Sequence, residues 1–227
     1  LKTAKKIQTN LLNNQNQIVP LIAETGGINT MIVDSSALLE QVTDDVIRSA
    51  FDSAGQRCSA LRVLCVQEEI CDDLIKMLIG NMKVQLLGDP NNFDVDIGPI
   101  INKTAHEKLK KYIESCRKKG MDVIEVNQTT CNKYIQPTLI NISKISDIKE
   151  EQCGPILHIL KYSSGDIDDL IKQINDSAYG LTMGIHTRIE SRASYICDKS
   201  KIGNIYVNRD MVGAVVGSQP FGGVGLS

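Results

Sequence analysis

The residue best suited to covalent chemistry is Cys58, in the run Gly55-Gln56-Arg57-Cys58-Ser59. It falls in the predicted link between a helix and a strand, and such links lie at the surface, so the thiol is expected to be accessible. Arg57 beside it favours the thiolate, the nucleophilic form. The end of the preceding helix disfavours an anion, because the helix dipole is negative there. Local features therefore leave two interpretations open, a catalytic nucleophile and an ordinary loop thiol.

A candidate general base precedes this cysteine. Glu24 ends an apolar run and is followed by Thr25-Gly26-Gly27, where two glycines allow a sharp turn. A carboxylate in a partly dry site at the mouth of a strand can act as a general base. The alternative is a solvated acid at a strand end, which the pattern alone does not exclude.

Two turn-rich segments lie further along the chain. Glu150 and Glu151 precede Gly154-Pro155, an arrangement that also fits a charged loop before a strand. The stretch 212–223 contains several glycines and a proline, which indicates an ordered loop whose backbone amides can hold an anion such as a carboxylate. A plain structural turn is the alternative for this stretch.

Composition and charge exclude several classes of function. The 227 residues are 42% hydrophobic and 23% charged, values typical of a soluble globular protein. The formal net charge of −2, with both signs interspersed, offers no basic face for nucleic acid. No apolar run approaches the roughly 20 residues that cross a bilayer, so no transmembrane segment is predicted.

Cysteine and histidine spacing argues against a metal site. The seven cysteines include no Cys-x-x-Cys pair, and their odd number does not suit a disulfide framework. Free thiols are typical of a reducing cytosol, so a cytoplasmic location is predicted. The three histidines, at 106, 158 and 186, lie on separate predicted elements and are interpreted as structural.

Strand-like and helix-like segments alternate along the sequence. Helices are predicted at 42–54, 70–86, 105–119, 167–176 and 190–200, and strands at 30–33, 61–66, 122–126, 135–142, 155–162, 184–187 and 202–208. Strands separated by helices of this length favour an α/β layered domain with a largely parallel sheet.

The order and spacing of the motifs resemble those of aldehyde dehydrogenases over nearly the whole chain. Glu24-Thr25-Gly26-Gly27 resembles the general-base motif, and Gly55-Gln56-Arg57-Cys58 resembles the nucleophile motif. Glu150-Glu151-Gln152-Cys153-Gly154-Pro155 resembles the segment whose second glutamate holds the nicotinamide ribose. Asn208 and Pro220-Phe221-Gly222-Gly223 resemble the C-terminal signature of the family.

This resemblance implies a fold and a domain organisation. The expected fold is the three-layer α/β catalytic domain of an aldehyde dehydrogenase, built on a largely parallel sheet. Residues 1–23 would be a remnant of the dinucleotide-binding domain, and residues 24–227 the nucleophile-bearing catalytic domain, truncated at its C-terminus. The parent protein is expected to be a homo-oligomer.

Two further runs indicate a subgroup and its substrate. Arg57-Cys58-Ser59-Ala60-Leu61-Arg62 and the run 212–223 resemble the dehydrogenases that act on L-glutamate γ-semialdehyde, the opened form of Δ1-pyrroline-5-carboxylate. More narrowly, they resemble that module in the bifunctional proline utilization A group, whose role is proline catabolism. By resemblance, Ser59 and the backbone of Gly213 and Ala214 would anchor the α-carboxylate of the substrate.

The implied reaction is the oxidation of a small-molecule aldehyde with NAD. Cys58 would attack the aldehyde to give a thiohemiacetal, and loss of hydride to the nicotinamide would leave a thioester. Glu24 would then activate the water that releases the acid. Glu151 would hold the nicotinamide ribose, and the backbone N–H of Cys58 would form half of an oxyanion hole.

Other functions remain open on the sequence alone. The chain could be a truncated, inactive scaffold domain, or part of a dehydrogenase for another aldehyde. Transfer of the acyl group to coenzyme A fits less well, because such enzymes do not need the hydrolytic base that Glu24 represents. Gln152 and Cys153 depart from the family, which usually has an apolar and an aromatic residue there. The isolated chain is expected to be a weak or inactive dehydrogenase, because most of the cofactor domain lies upstream of it.

Overall fold

The computed structural model describes residues 1–14, 18–126, 133–212 and 217–227. A seven-stranded sheet runs through it in the order β3-β4-β5-β2-β1-β7-β8, and β6 pairs with β9 in a separate small ribbon. The strands are β1 Thr30–Val33, β2 Val63–Gln67, β3 Val123–Glu125, β4 Thr138–Ile142, β5 Ile156–Tyr162, β6 Tyr179–Gly180, β7 Thr182–His186, β8 Asn204–Val207 and β9 Val224–Gly225. In the large sheet all neighbours pair in parallel except β3 with β4. The predicted largely parallel sheet is therefore confirmed.

Six α-helices accompany the strands in the described residues: α1 Lys2–Asn14, α2 Leu39–Phe51, α3 Glu68–Val84, α4 Lys103–Lys118, α5 Ile167–Asp176 and α6 Glu190–Lys199. Strand residues alternate between two cores, as the period of two requires. Met31 and Leu64 pack with α2, α3 and α4 on one face, whereas Ile32 and Cys65 pack with α5 and α6 on the other. The domain has the expected three layers, helix, sheet and helix. In the part of the chain that the structure describes, no helix is long and apolar enough to cross a membrane.

The segment before the candidate nucleophile differs from the prediction. The periodicity predicts a helix to Ala54 with Gly55 as its cap, but α2 ends at Phe51. Ser53, Ala54 and Gly55 then have φ angles of 56°, 53° and 63°, a left-handed turn. Ala54 is still buried, so the apolar pattern is satisfied by a turn rather than by another turn of helix. Left-handed backbone costs a non-glycine residue roughly 1–2 kcal/mol, so surrounding contacts must stabilise this turn.

The two-residue strands β6 and β9 have no counterpart among the predicted elements. Their pairing joins Tyr179 to Gly225 and Gly180 to Val224, across more than forty positions of sequence. Such short strands carry no periodicity that a sequence window can detect. The ribbon ties the C-terminal segment to the edge of the domain where β7 begins.

Candidate active site

Three of the candidate site residues precede strands of the central sheet. Glu24 lies before β1, Cys58 before β2 and Glu151 before β5. These three strands are parallel neighbours in the order β5-β2-β1, so their amino-terminal ends meet at one edge of the sheet. Sequence order alone could not have shown this, because β5 follows β2 by about ninety positions and is nevertheless its direct neighbour.

The loop that carries Cys58 is held through its backbone carbonyls. Asn29 Nδ2 donates to the carbonyl oxygens of Cys58 at 2.7 Å and of Ala60 at 2.8 Å. Arg62 donates to the carbonyl oxygens of Gly55 at 2.7 Å and of Arg57 at 3.0 Å. Both Asn29 and Arg62 are buried. The loop therefore turns its carbonyls toward the protein interior and is fixed without using the thiol.

The thiol of Cys58 is exposed, as predicted. Neither this thiol nor the Cys58 N–H hydrogen-bonds to any residue that the structure describes. Both groups are therefore free to meet a small molecule at the sheet edge.

The surroundings of the thiol differ from those that the sequence indicates. The Arg57 guanidinium donates to the carbonyl oxygen of Arg48, 2.8 Å away, and so is anchored on α2. Cys58 lies beyond the left-handed turn rather than at the end of α2, and the field of a helix dipole falls off within the last turn.

Glu24 and the C-terminal signature lie side by side. A Cβ added at Gly222 would come 3.3 Å from Oε1 of Glu24. Thr25 Oγ1 donates to the carbonyl oxygen of Leu226, and Ser227 Oγ donates to that of Gly26 at 3.0 Å. The motif of Glu24 and the segment Pro220-Phe221-Gly222-Gly223 are thus one structural unit. Glu24 itself is exposed, so the partly dry site expected for it is not formed within the described residues.

The second of the two adjacent glutamates faces the site. Glu151 Oε1 forms an ion pair with Arg62 at 3.1 Å, and the two side chains are only 16% and 2% exposed. A Cβ at Gly26 would lie 1.6 Å from Oε2 of Glu151, so only glycine leaves room for this carboxylate. Glu150 instead pairs with Lys2 at 3.0 Å and Lys108 at 3.3 Å on the exposed surface.

The two positions that depart from the family flank this carboxylate. Gln152 is buried and donates to the carbonyl oxygen of Glu150 at 3.0 Å. Cys153 is exposed, and its pKa is raised by burial of the sulfur and by the Glu151 charge, with Arg62 acting in the opposite direction. The thiol at this position is therefore mainly protonated at neutral pH.

The candidate carboxylate-binding residues are described only in part. Ser59 is 5% exposed, and its carbonyl oxygen accepts from Thr182 Oγ1 at 3.3 Å. Gly213 and Ala214 lie outside the described residues. The chain that leads to them is joined to the nucleophile loop through Ser49, whose Oγ accepts from the N–H of Met211 and whose carbonyl oxygen accepts from the N–H of Leu61, both at 2.9 Å.

Asn208 belongs to the opposite edge of the sheet. It follows β8, has a φ of 52°, and exchanges side-chain hydrogen bonds with the backbone of Thr187 at 3.0 and 2.9 Å. The structure therefore does not bring Asn208 together with Cys58. Its amide instead closes the turn after β7.

The histidines and remaining cysteines are packed into the fold. His158 is buried and hydrogen-bonded to Tyr112, and burial lowers its pKa to about 4. Cys65, Cys71 and Cys116 are buried, and all six described cysteines are free. Among the described residues no group of three or more His, Cys, Asp or Glu side chains could hold a metal ion.

Sequence reasoning missed the two residues that hold the loop. Asn29 and Arg62 were not singled out as chemistry-bearing positions, because an Asn before a strand and an Arg near its start are unremarkable as a pattern. The detectable signal is the position of Arg62 beside a buried strand, since an arginine that is buried must be paired.

Comparison with protein families identifies the class. The family model for the aldehyde dehydrogenase family matches residues 1–227. The chain belongs to the aldehyde dehydrogenase family, as its motifs predict. The fold is that of this class.

Two individual proteins show how similar the chain is to other members of the family. The chain is 48% identical to the bifunctional protein PutA of Klebsiella aerogenes over its whole length, which is 18% of that protein. It is 34% identical to 1-pyrroline-5-carboxylate dehydrogenase 1 of Halalkalibacterium halodurans, over 94% of the chain and 42% of that protein. The chain thus spans less than half the length of these relatives.

Solved structures agree with this assignment. A PutA variant from Bradyrhizobium japonicum superposes with a TM-score of 0.95 at 43% identity, covering the whole chain and 23% of that protein. A betaine aldehyde dehydrogenase from Staphylococcus aureus in complex with NAD+ superposes with a TM-score of 0.89 at 25% identity, covering 99% of the chain and 45% of that protein.

Proposed function

We propose that this chain is the nucleophile-bearing part of an NAD-dependent dehydrogenase that oxidises L-glutamate γ-semialdehyde to glutamate in proline catabolism. The observation that carries the proposal is the shared sheet edge of Glu24, Cys58 and Glu151, held by buried Arg62 and Asn29. The similarity to PutA and to 1-pyrroline-5-carboxylate dehydrogenase supports the choice of substrate. The turnover proposed is that of the natural polypeptide that carries this chain.

Cys58 is proposed as the nucleophile. Its thiolate adds to the aldehyde carbonyl carbon and forms a C–S bond, and the carbonyl oxygen becomes an oxyanion. The Cys58 N–H, which has no partner among the described residues, is available to donate to that oxygen. Because Asn29 and Arg62 hold the loop through its carbonyls, sulfur and N–H keep a fixed relation during the reaction.

Glu24 is proposed as the hydrolytic base. Once the tetrahedral adduct has lost hydride, the thioester must be cleaved by water, and a carboxylate removes the proton from that water. The exposed position of Glu24 leaves it accessible to solvent. Gly222 beside it allows another group to come close to the carboxylate.

The residues present are compatible with NAD. Bound NAD+ would supply the hydride acceptor. Glu151 uses Oε1 for Arg62, and the Cys153 thiol also hydrogen-bonds to this carboxylate. A carboxylate has about four lone-pair sites, so Glu151 can still accept from a ribose hydroxyl. The Glu151 side chain is partly exposed, as a ligand-binding carboxylate must be.

Ser59, Gly213 and Ala214 are proposed to hold the α-carboxylate of the substrate. The chain approaching Gly213 is tied to Leu61 through Ser49, which supports an anion site near Cys58. A backbone-amide site of this kind favours a substrate that carries a carboxylate.

The roles of Cys58 and Glu24 can be separated in the natural polypeptide. With L-glutamate γ-semialdehyde and NAD+, Cys58→Ala should form no NADH. Glu24→Gln should give one rapid equivalent of NADH per active site and a trapped acyl thioester on Cys58, detectable by mass spectrometry. Steady turnover by Glu24→Gln would contradict the assignment of the base.

The matched control is Glu150→Gln, since Glu150 lies on the exposed surface. This variant should turn over like the wild type. A wild-type polypeptide that binds NAD+ but oxidises no aldehyde would favour the scaffold alternative. Faster oxidation of an aldehyde without a carboxylate would favour a different substrate.

A further inference from the structure

A single buried guanidinium connects the nucleophile loop to the loop of Glu151. Arg62 Nη1 donates to the carbonyl oxygens of Gly55 at 2.7 Å and of Gly154 at 3.3 Å. Arg62 Nη2 donates to the carbonyl oxygen of Arg57 at 3.0 Å and to Glu151 Oε1 at 3.1 Å. Each terminal nitrogen therefore bonds once to the loop of Cys58 and once to the loop of Glu151.

The base of this side chain is itself fixed in the sheet. The Arg62 N–H donates to the carbonyl oxygen of Asn29, and the Arg62 carbonyl oxygen accepts from the N–H of His158, both at 2.9 Å. The His158 ring also donates from Nδ1 to this oxygen at 2.9 Å, and Nε2 accepts from the Tyr112 hydroxyl at 2.8 Å. Arg62 is thus anchored where the three site-bearing strands β1, β2 and β5 begin.

The loops that Arg62 joins also touch each other directly. A Cβ at Gly55 would lie 2.3 Å from the carbonyl oxygen of Gly154. Gly55 ends the left-handed turn that begins at Ser53, and such a turn relaxes unless contacts retain it. A planar fork of donors can satisfy several acceptors in fixed directions, which a lysine ammonium cannot do.

Asn29 provides the natural contrast within the same site. Its amide nitrogen bonds only to carbonyls of the nucleophile loop, those of Cys58 and Ala60. Its Oδ1 accepts from the N–H of Thr182 at 3.3 Å. Asn29 therefore holds one loop, whereas Arg62 holds two.

We propose that Arg62 is a positioning residue that keeps the Cys58 thiol and the Glu151 carboxylate in register, so that the adduct on Cys58 faces the bound nicotinamide. This inference rests on the proposed function. It requires that loss of Arg62 disturb cofactor binding and the chemical step together, and that loss of Asn29 disturb the chemical step alone.

The first test is steady-state kinetics of the natural polypeptide. Arg62→Met should lower kcat at least ~10-fold, because misplacing a reacting group by about 1 Å has effects of this size or larger. It should also raise the KM for NAD+ roughly fivefold, because Glu151 loses a charge-assisted hydrogen bond. Arg62→Lys should keep the KM for NAD+ within about twofold while kcat stays low, because its point charge cannot bond to four acceptors.

The matched control is Asn29→Ser, which should lower kcat and leave the KM for NAD+ within about twofold, because the Asn29 side chain forms no hydrogen bond to the described residues of the Glu151 loop. An Arg62→Lys variant with wild-type kcat would overturn the proposal. So would an Asn29→Ser variant that raises the KM for NAD+ as much as Arg62→Met does.

Thiol labelling separates this inference from the proposed function. With iodoacetamide at pH 7, Cys153 should react more slowly in Arg62→Met, because the Arg62 charge that lowers the pKa of its thiol is lost and Glu151 is left unpaired. Arg62→Lys should restore the rate. Buried Cys65 reports unfolding and should stay unlabelled.

If the wild-type polypeptide oxidises no aldehyde, the proposed function fails, and the labelling pattern alone decides the role of Arg62. A wild-type labelling rate for Cys153 in Arg62→Met would then overturn it. If Arg62→Met labels at Cys65, it has unfolded, and kcat and labelling in Arg62→Lys decide instead.

Discussion

The two edges of the central sheet, the amino edge where the parallel strands begin and the carboxyl edge where they end, use polar side chains in opposite ways. At the carboxyl edge, Asp34 is 1% exposed and accepts hydrogen bonds from Ser36, Thr187 and Arg192. These side chains satisfy one another, and the network is closed. At the amino edge, Asn29 and Arg62 bond mainly to backbone carbonyls.

The amino edge shows how a fold can hold a reactive group in place without using that group's own hydrogen-bonding atoms. Both oxygens of Asp34 are engaged in this network, so it stabilises the fold. Holding a loop by its carbonyls also fixes it, yet it leaves the Cys58 thiol and N–H without a hydrogen-bond partner among the described residues. Preorganisation of this kind is what a covalent catalyst needs.

The largest expected effect is on activity at the amino edge. Cys58→Ala should reduce kcat at least ~10³-fold, since loss of a nucleophile removes the covalent route. Its free energy of unfolding should change by less than about 0.5 kcal/mol, because the side chain is exposed and unbonded. Urea unfolding alongside NADH formation measures both. A large loss of stability would show that the thiol is structural.

The opposite result, a loss of stability without a loss of activity, is expected at the carboxyl edge. Asp34→Ala should lower the free energy of unfolding by about 3 kcal/mol, because Ser36, Thr187 and Arg192 lose a shared buried acceptor. The fraction that remains folded should keep its kcat. Asp34→Asn, which retains the shape of the side chain, should cost less. A fall in kcat without a fall in stability would erase the distinction between the edges.

One buried histidine lies near each edge, His158 behind Arg62 and His186 at the end of β7. Burial lowers the pKa of each from 6.5 to about 4. The unfolded chain therefore binds more protons between pH 6.5 and 4, and stability should fall as pH decreases through this window, by on the order of 2–3 kcal/mol per histidine.

Urea unfolding at several pH values measures this acid sensitivity. His158→Gln and His186→Gln should each flatten the dependence. Only His158→Gln should also slow catalysis, because His158 bonds to the Arg62 carbonyl. If His158→Gln and His186→Gln slowed catalysis equally, the proposed difference between the two edges would be contradicted.

The smallest expected effect is on the KM for NAD+, and it distinguishes Glu151 from the adjacent Glu150. Glu151→Gln should raise the KM for NAD+ roughly tenfold, because a neutral amide is a weaker acceptor for ribose hydroxyls and for Arg62. Glu150→Gln should leave the KM unchanged, since its exposed pairs with Lys2 and Lys108 are worth little. A KM for NAD+ that responds equally to both changes would contradict the placement of Glu151.

Much of the fold was readable from the sequence where the signal was local. The helix predicted at 167–176 coincides with α5, whose apolar residues recur at helical spacing. The strand predicted at 30–33 coincides with β1, a short run whose four residues are all buried. The helix predicted to Ala54 ends at Phe51 instead. The prediction is too long because a buried alanine suits a helix and a packed turn equally well. Asn208 belongs by its motif to the C-terminal signature, and it lies at the other edge of the sheet from Cys58 because β8 carries the chain across the sheet.

The reactive groups that are available to the site can be read directly from the amino-acid sequence. It supplied a cysteine in a polar loop, an acid before a glycine turn and a second acid before a strand, in an order that identifies the family. Only the tertiary structure decided which of these groups meet. Parallel pairing of β1, β2 and β5 gathers loops distant in the chain at one edge, and a buried guanidinium selects Glu151 over Glu150. Such choices depend on burial and on contacts between distant segments, which no local pattern encodes.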